Sequence, residues 1–334
     1  MKNIAPVIIL SRTDNIGDVV LTLPLASVIR KKIPGAKIYL LAAGYIRPLA
    51  DSCEHLHGFI DWNNLRSLDK DEQTTFIRSI KADAILHIYP NAEIARLARR
   101  AQIPLRIGTS HRLLHWLYCN RLVSFTRKNS NLHEAQLNFK LAAPLGIDAI
   151  PSLDELKTEY GLSRIPPLHD KNLIDAGRFN LILHPKSRGS AREWDWKQWN
   201  ILADILPADE FKLFVTGTEA EGKDIRKNLL AVHPQITDLT GKLDFSQLIA
   251  FISHADGLIA ASTGPLHIAA ALGKKAIGLF PPIKPMHPGR WAPLGPDASY
   301  LVLDKICSDC RGETYCTCIN SITPQQVKKL LPKK

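Results

Sequence analysis

Residues able to do chemistry gather at three places in the 334-residue chain where an apolar run gives way to a turn and a helix. The first is residues 11–18 (SRTDNIGD), directly after the apolar run 7–10 (VIIL). A carboxylate at Asp18 would sit at the carboxyl edge of a sheet, where it could serve as a general base. It could equally be a helix N-terminal aspartate, favoured by the dipole by about 0.3–1 kcal/mol. The second is residues 184–199 (HPKSRGSAREWDWKQW), with four cations after a predicted strand. Small residues between Lys186 and Arg192 suit a loop that wraps an anion, and Arg192 could bind a diphosphate oxygen bidentately. A solvated basic loop is the alternative. Trp194, Trp196 and Trp199 are expected to pack a helix against the sheet rather than stack on a base. The third is residues 256–280 (DGLIAASTGPLHIAAALGKKAIGLF). It reads as a strand over 258–261, a tight Ser262-Thr263-Gly264 turn, a helix opened by Pro265, and a strand over 276–280. Proline suits the first helical position, and Gly264 lets a ligand approach the backbone. The N–H groups of Thr263, Gly264, Leu266 and His267 are expected to point out of the positive helix end, a seat for phosphate.

Other constellations carry less. Glu221, after the predicted strand 212–216, could accept hydrogen bonds from ribose hydroxyls or be an acid of a helix's first turn. Arg96, Arg99 and Arg100 share a helix face by spacing, and with Arg106 and Arg112 form either an exposed amphipathic face or a platform for an acidic acceptor. Cys307, Cys310, Cys316 and Cys318 lie too close together for the usual two zinc knuckles. Reduced thiols or a reversible disulfide are expected there instead. Asp69-Lys70-Asp71 has the form of a metal motif, but its polar setting makes it a solvated helix start. No metal and no cofactor is assigned.

The elements that must hold these groups alternate. Strands are predicted at 7–10, 37–42, 84–88 and 105–107, with helices at 19–31, bent or restarted at Pro24, and at 92–100. After a Pro-rich stretch (148–177) the alternation restarts: strand 181–184, helix 196–206, strand 212–216, helix 220–230, helix 245–254. This alternation argues for α/β architecture with parallel sheets. Two Rossmann-like domains facing a cleft account for it, with ligands at the carboxyl ends of the strands. The expected boundaries are 1–155, a linker over 156–178, 179–322, and a C-terminal helix or tail over 323–334. At 45% hydrophobic and 22% charged residues the chain is globular, with length enough for two cores. Its net charge of +11 suits nucleic acid, an anionic membrane face or a phosphorylated substrate. No helix-turn-helix, RNP or zinc-finger pattern accompanies the charge, so nucleic acid is not expected. The N-terminal apolar run is too short for a signal peptide, and no run reaches membrane-spanning length. A cytoplasmic protein is expected.

Four stretches together resemble the ADP-heptose–lipopolysaccharide heptosyltransferases of the GT-B type: residues 11–38 with the Gly-Asp-hydrophobic-Pro signature, RIGTSHR (106–112) with HEAQLNFKLAAPLGI (133–147), the loop 184–194, and, most specifically, residues 238–280. The resemblance covers nearly the whole chain. It implies an inverting, metal-independent transfer of a heptose from an ADP-sugar. The acceptor would be an acidic lipopolysaccharide core, with peripheral contact at the inner face of an anionic membrane. The N-terminal domain would bind acceptor and the C-terminal domain donor. The match to the opening motif makes Asp18 the base. Lys186, Arg192, Thr263, Gly264 and His267 would hold the diphosphate, and Glu221 the ribose. Ser262 would meet the donor sugar at a position where the family often has aspartate. Arg96, Arg99 and Arg112 would steer the acceptor.

Overall fold

The computed structural model describes residues 5–127, 130–305, 307 and 315–332. The chain divides into two compact units, Met1–Arg164 and Ile165–Lys334. In the first, strands β1 (Val7–Ser11), β2 (Lys37–Ala42), β3 (Gly58–Asp61), β4 (Ala84–His87), β5 (Leu105–Thr109) and β6 (Arg121–Val123) form a sheet of order β3-β2-β1-β4-β5-β6. In the second, β7 (Phe179–His184), β8 (Phe211–Val215), β9 (Thr237–Asp238), β10 (Gly257–Ala261), β11 (Lys275–Phe280) and β12 (Ala298–Val302) form a sheet of order β12-β11-β10-β7-β8-β9. All neighbours pair in parallel. Numbered within its own unit, each sheet has the doubly wound order 3-2-1-4-5-6. That order opens a crevice at the carboxyl ends of its first and fourth strands. These are the two expected Rossmann-like domains.

The inner strands are apolar through their middles, with polar residues mainly at their ends, because helices cover both faces. In the first unit Ile9, Leu41 and Ile85 pack with Ile94, Leu97 and Ala98 of the helix Ala92–Arg100. Asn91 starts that helix, its side chain accepting from the N–H groups of Glu93 and Ile94. In the second unit Leu181, Leu183, Val215, Ile259 and Ile277 pack with Trp194, Trp199 and Leu202. Trp194 and Trp199 meet edge to face at 5.1 Å, and the Trp194 indole N–H donates to the Ile322 carbonyl at 3.0 Å. Trp194 and Trp199 are core, and Trp196 packs half-buried against it with Lys186 over its ring. Asp69 opens the helix Lys70–Ser79 through a capping box with Glu72.

One expected element differs in a way that shapes the site. The helix read over 19–31 is two helices, Ile16–Val20 and Leu23–Lys32, with Pro24 in the first turn of the second. Proline has no N–H to continue the ladder. Around the break Leu25 N–H bonds the Thr22 carbonyl at 3.1 Å, and Leu21 O instead accepts from the Asn138 side chain at 3.1 Å. Gly17 and Asp18 therefore lie inside a short helix rather than in the loop before one.

Candidate active site

Each unit places one candidate cluster at its own crevice. In the first, β1 ends at Ser11, and the loop to the helix Ile16–Val20 carries Arg12, Asp14 and, within that helix, Asp18. Asn15 holds the helix N-cap position, so Asp18 is not the cap residue. Its carboxylate takes a short hydrogen bond from Arg12 Nη2. Arg12 is only 2% exposed and spends its whole fork on oxygen acceptors. Nε donates to Asp14 at 2.7 Å, and Nη1 donates to Glu134 Oε1 at 3.0 Å and to Asn138 Oδ1 at 3.1 Å. Arg127 reaches the same two residues, donating to Glu134 at 2.9 Å and to Asn138 at 3.4 Å. Glu134 and Asn138 belong to the buried helix Glu134–Phe139. Two guanidinium groups thus face three carboxylates, which leaves one negative charge in excess. Burial pushes Asp14 up to about 6, the Arg12 charge opposes this, and the neighbouring Asp18 charge adds to it. Burial acts against the charge on Arg12, but Asp14, Asp18 and Glu134 outweigh it and hold the guanidinium charged more firmly than usual. A buried carboxylate fixed by a guanidinium, beside a second carboxyl poised near neutrality, can accept a proton from a bound hydroxyl.

In the second unit, β7 and β10 are neighbours with His184 opposite Ala260, so the loop after β7 and the turn after β10 leave the same edge. The helix Gly264–Ala271 follows that turn, with Thr263 at its N-cap and Pro265 second rather than first. His267 N–H is drawn into the helix, bonding Thr263 O at 3.4 Å. Of the N–H groups expected to be open in the first turn, Gly264 and Leu266 keep no partner within the helix. Thr263 makes no side-chain cap, and its buried hydroxyl has no partner among the described residues. Ser262 lies beside it, half-buried, and His267 is buried. The turn is therefore polar and sheltered, with donors suited to an anion.

The loop after β7 is tied down from within. Lys186 pairs with Glu193 at 2.7 Å and Asp224 at 3.0 Å, and Glu193 also accepts from Ser187 N–H at 2.8 Å. Burial pulls Lys186 down, but these two carboxylates win and raise it above its ordinary value. Arg188 and Gly189 are both left-handed, at φ 51° and 77°, and turn the loop back. Arg192 is half-buried there. His184 donates to or accepts from Thr216 Oγ1 at 2.9 Å, and burial holds it down at about 4, so it is neutral. Glu221 begins as a first-turn acid: its Oε2 accepts from Thr218 N–H and Oγ1, both at 2.8 Å, in a capping box. Burial makes its carboxyl harder to ionise, but the bonds from Thr218 outweigh this and hold it below its ordinary pKa, so it stays ionised.

The expected acceptor residues surround one helix, Leu113–Tyr118. Arg96 Nε donates to Tyr118 Oη at 3.1 Å, Arg99 Nη1 donates to Leu117 O at 2.6 Å, and Arg112 holds the N-cap position without a side-chain cap. Cys316 and Cys318 are free thiols, and Cys310 lies outside the described residues. No group of three or more His, Cys, Asp or Glu among the described residues could hold a metal ion. No helix among them is long and apolar enough to cross a membrane. The residues that reading by spacing missed are Arg12, Asp14, Arg127, Glu134 and Asn138. The one available signal was that the loop 11–18 and the helix from His133 both fall in stretches that carry the resemblance.

The model of glycosyltransferase family 9 (heptosyltransferase) matches residues 75–318. The chain belongs to that family. This family 9 glycosyltransferase is 25% identical to lipopolysaccharide heptosyltransferase 3 of Escherichia coli over 288 residues, covering 79% of this chain and 80% of the relative. Among solved structures it is similar to the E. coli ADP-heptose lps heptosyltransferase II, with a TM-score of 0.72 at 18% identity and coverage of 97% of both chains. It is likewise similar to E. coli heptosyltransferase WaaC with ADP, with a TM-score of 0.71 at 16% identity, covering 97% of this chain and 98% of that one. The likeness makes the fold GT-B.

Proposed function

We propose that the enzyme moves a heptose from ADP-heptose to a hydroxyl of an acidic lipopolysaccharide core, with inversion at the anomeric carbon and Asp18 as general base. The observation that carries this reading is the carboxylate of Asp18, buried in the helix that follows β1 and held by the Arg12 fork. The names of the relatives support the donor and acceptor classes. Asp18 takes the proton of the acceptor hydroxyl as its oxygen attacks the sugar, and the ADP β-phosphate leaves with the bonding pair. The charge growing on that phosphate meets Gly264 N–H, Thr263 Oγ1, His267 and Arg192, with Lys186 exchanging one carboxylate partner for the diphosphate. Glu221 offers the oxygen not used by its capping box to the ribose, and Ser262 faces the sugar. Arg96, Arg99 and Arg112 attract the phosphates and carboxylates of the acceptor, and the enzyme works as a peripheral protein at the membrane's inner face.

The test is a panel of ADP-, UDP- and GDP-sugars offered with and without de-acylated core oligosaccharide, in the presence of a chelator. Transfer from ADP-heptose alone is expected, and only with the oligosaccharide present. Preference for a UDP- or GDP-sugar, or sugar conversion without acceptor, would replace this reading.

A further inference from the structure

The helix Leu113–Tyr118 shows a face that no described residue covers. Leu113 is 80% exposed, Trp116 62% and Leu117 56%, and Leu114 adds to the same surface. Four large apolar side chains on six residues of surface helix form a patch, not scattered exposure. The opposite side is firmly attached. His115 is buried, and its Nδ1 accepts from Thr109 N–H at 3.0 Å. The Trp116 indole N–H is satisfied by Ser110 O at 2.8 Å, so its ring projects without a polar group seeking water. Arg99 on Leu117 O and Arg106 on Tyr118 O, at 2.6 and 2.8 Å, fix the helix's C-terminal end. The surrounding sequence is charged with one sign. Residues 94–133 hold Arg96, Arg99, Arg100, Arg106, Arg112, Arg121, Arg127 and Lys128, without one Asp or Glu. Of these, Arg96, Arg99 and Arg106 bond residues of the helix itself, and Arg112 holds its N-cap position.

An apolar ridge with an amphipathic tryptophan, ringed by arginines, matches the interfacial layer of an anionic bilayer: rings and leucines at the acyl boundary, guanidinium groups on lipid phosphates. We propose that Leu113–Tyr118 is the foot by which this protein sits on an anionic membrane, with Leu113, Trp116 and Leu117 entering the bilayer and Arg112 and Arg121 on its headgroups. The proposal deepens the functional reading above, on which it rests for the acceptor being carried by that membrane.

Flotation of the full chain with vesicles tests it without any donor or acceptor. Binding is expected to vesicles containing phosphatidylglycerol and to be absent from pure phosphatidylcholine. Leu113→Ser with Trp116→Ala and Leu117→Ser should abolish it, and Arg112→Glu with Arg121→Glu should weaken it about tenfold or more. Acyl-brominated lipid should quench wild-type tryptophan fluorescence and leave the Trp116→Phe variant unquenched. Melting temperatures report that each variant folds. The apolar triple variant should keep wild-type transfer to de-acylated, water-soluble acceptor, which separates this proposal from failure of the transfer reaction itself. Equal binding to neutral vesicles, no binding at all, loss of transfer to the soluble acceptor, or a dimer that the triple variant converts to monomer would each overturn it.

Discussion

The two crevices are built from the same strand order and filled in opposite ways. Around Arg12 the first is densely bonded: one guanidinium makes four side-chain hydrogen bonds, and Glu134 and Asn138 are held by further side chains, although Ser11 Oγ and the ring nitrogens of His87 at the ends of β1 and β4 have no hydrogen-bond partner among the described residues. The second leaves a buried hydroxyl and a helix end unsatisfied. The difference teaches what each end of a transfer reaction needs. A proton acceptor must be aimed before the substrate arrives, so its orientation is fixed by the protein. A leaving diphosphate brings its own acceptor oxygens, so the turn after β10 keeps the Thr263 hydroxyl and the first N–H groups of its helix without a partner among the described residues.

Substitutions that break this contrast should differ in kind. Asp18→Asn should lower transfer about 10²–10⁴-fold while ADP titration calorimetry finds donor-side affinity intact; near-normal turnover would remove Asp18 from the mechanism. Arg12→Ala should be the most damaging to folding, by about 3–5 kcal/mol in denaturant titration, because it leaves buried carboxylates without their cation. Thr263→Ala should do the reverse. Its hydroxyl has no partner to lose, so stability should stay within about 0.5 kcal/mol. ADP affinity should fall about tenfold, the value of a hydrogen bond to a charged group. A Thr263→Ala protein as unstable as Arg12→Ala would mean that the second crevice is structurally filled after all.

A further contrast is in pH. Burial holds His87 at about 3 and His184 at about 4, below the ordinary 6.5. The unfolded chain takes up these protons first, so their contribution to stability is present above about pH 6.5 and is lost as pH falls toward 4 and then 3. Asp14 acts with the other sign. Raised from 3.8 to about 6, it favours the folded state below 3.8 and loses that contribution as pH rises through 6. His87→Leu should flatten the acid side of a melting-temperature profile. Asp14→Asn should steepen it between pH 4 and 6.

Much of this was readable in the sequence, and the exceptions have a common cause. Strand β2 and the helices Ala92–Arg100 and Phe245–His254 appear at the expected residues. The four strands that sequence reading omitted, β3, β6, β9 and β12, are the two edges of each sheet. An edge strand is covered less completely and need not be a continuous apolar run, so GFID, RLV and TD give no signal. The site divides in the same way. The Ser262-Thr263-Gly264-Pro265 turn is local, and its residue types announce it. The Arg12 network is invisible to spacing because Glu134 lies 122 positions away and a buried charge looks like any other in a sequence. Pro24 was noticed as a break, but not that Asn138 would fill the gap it makes.

That separation has a consequence for how the protein is made. Asp18 leaves the ribosome early, yet the residues that steady its Arg12 partner follow 122 and 126 positions later. At ordinary synthesis rates the wait is roughly 6–25 seconds. During it the loop holds carboxylates and one arginine with no interior to enter. The sheet can begin to form around β1, but the reactive end of the first unit is completed only when the helix Glu134–Phe139 docks. A nascent chain stopped before Glu134 should therefore present a sheet without a working carboxylate.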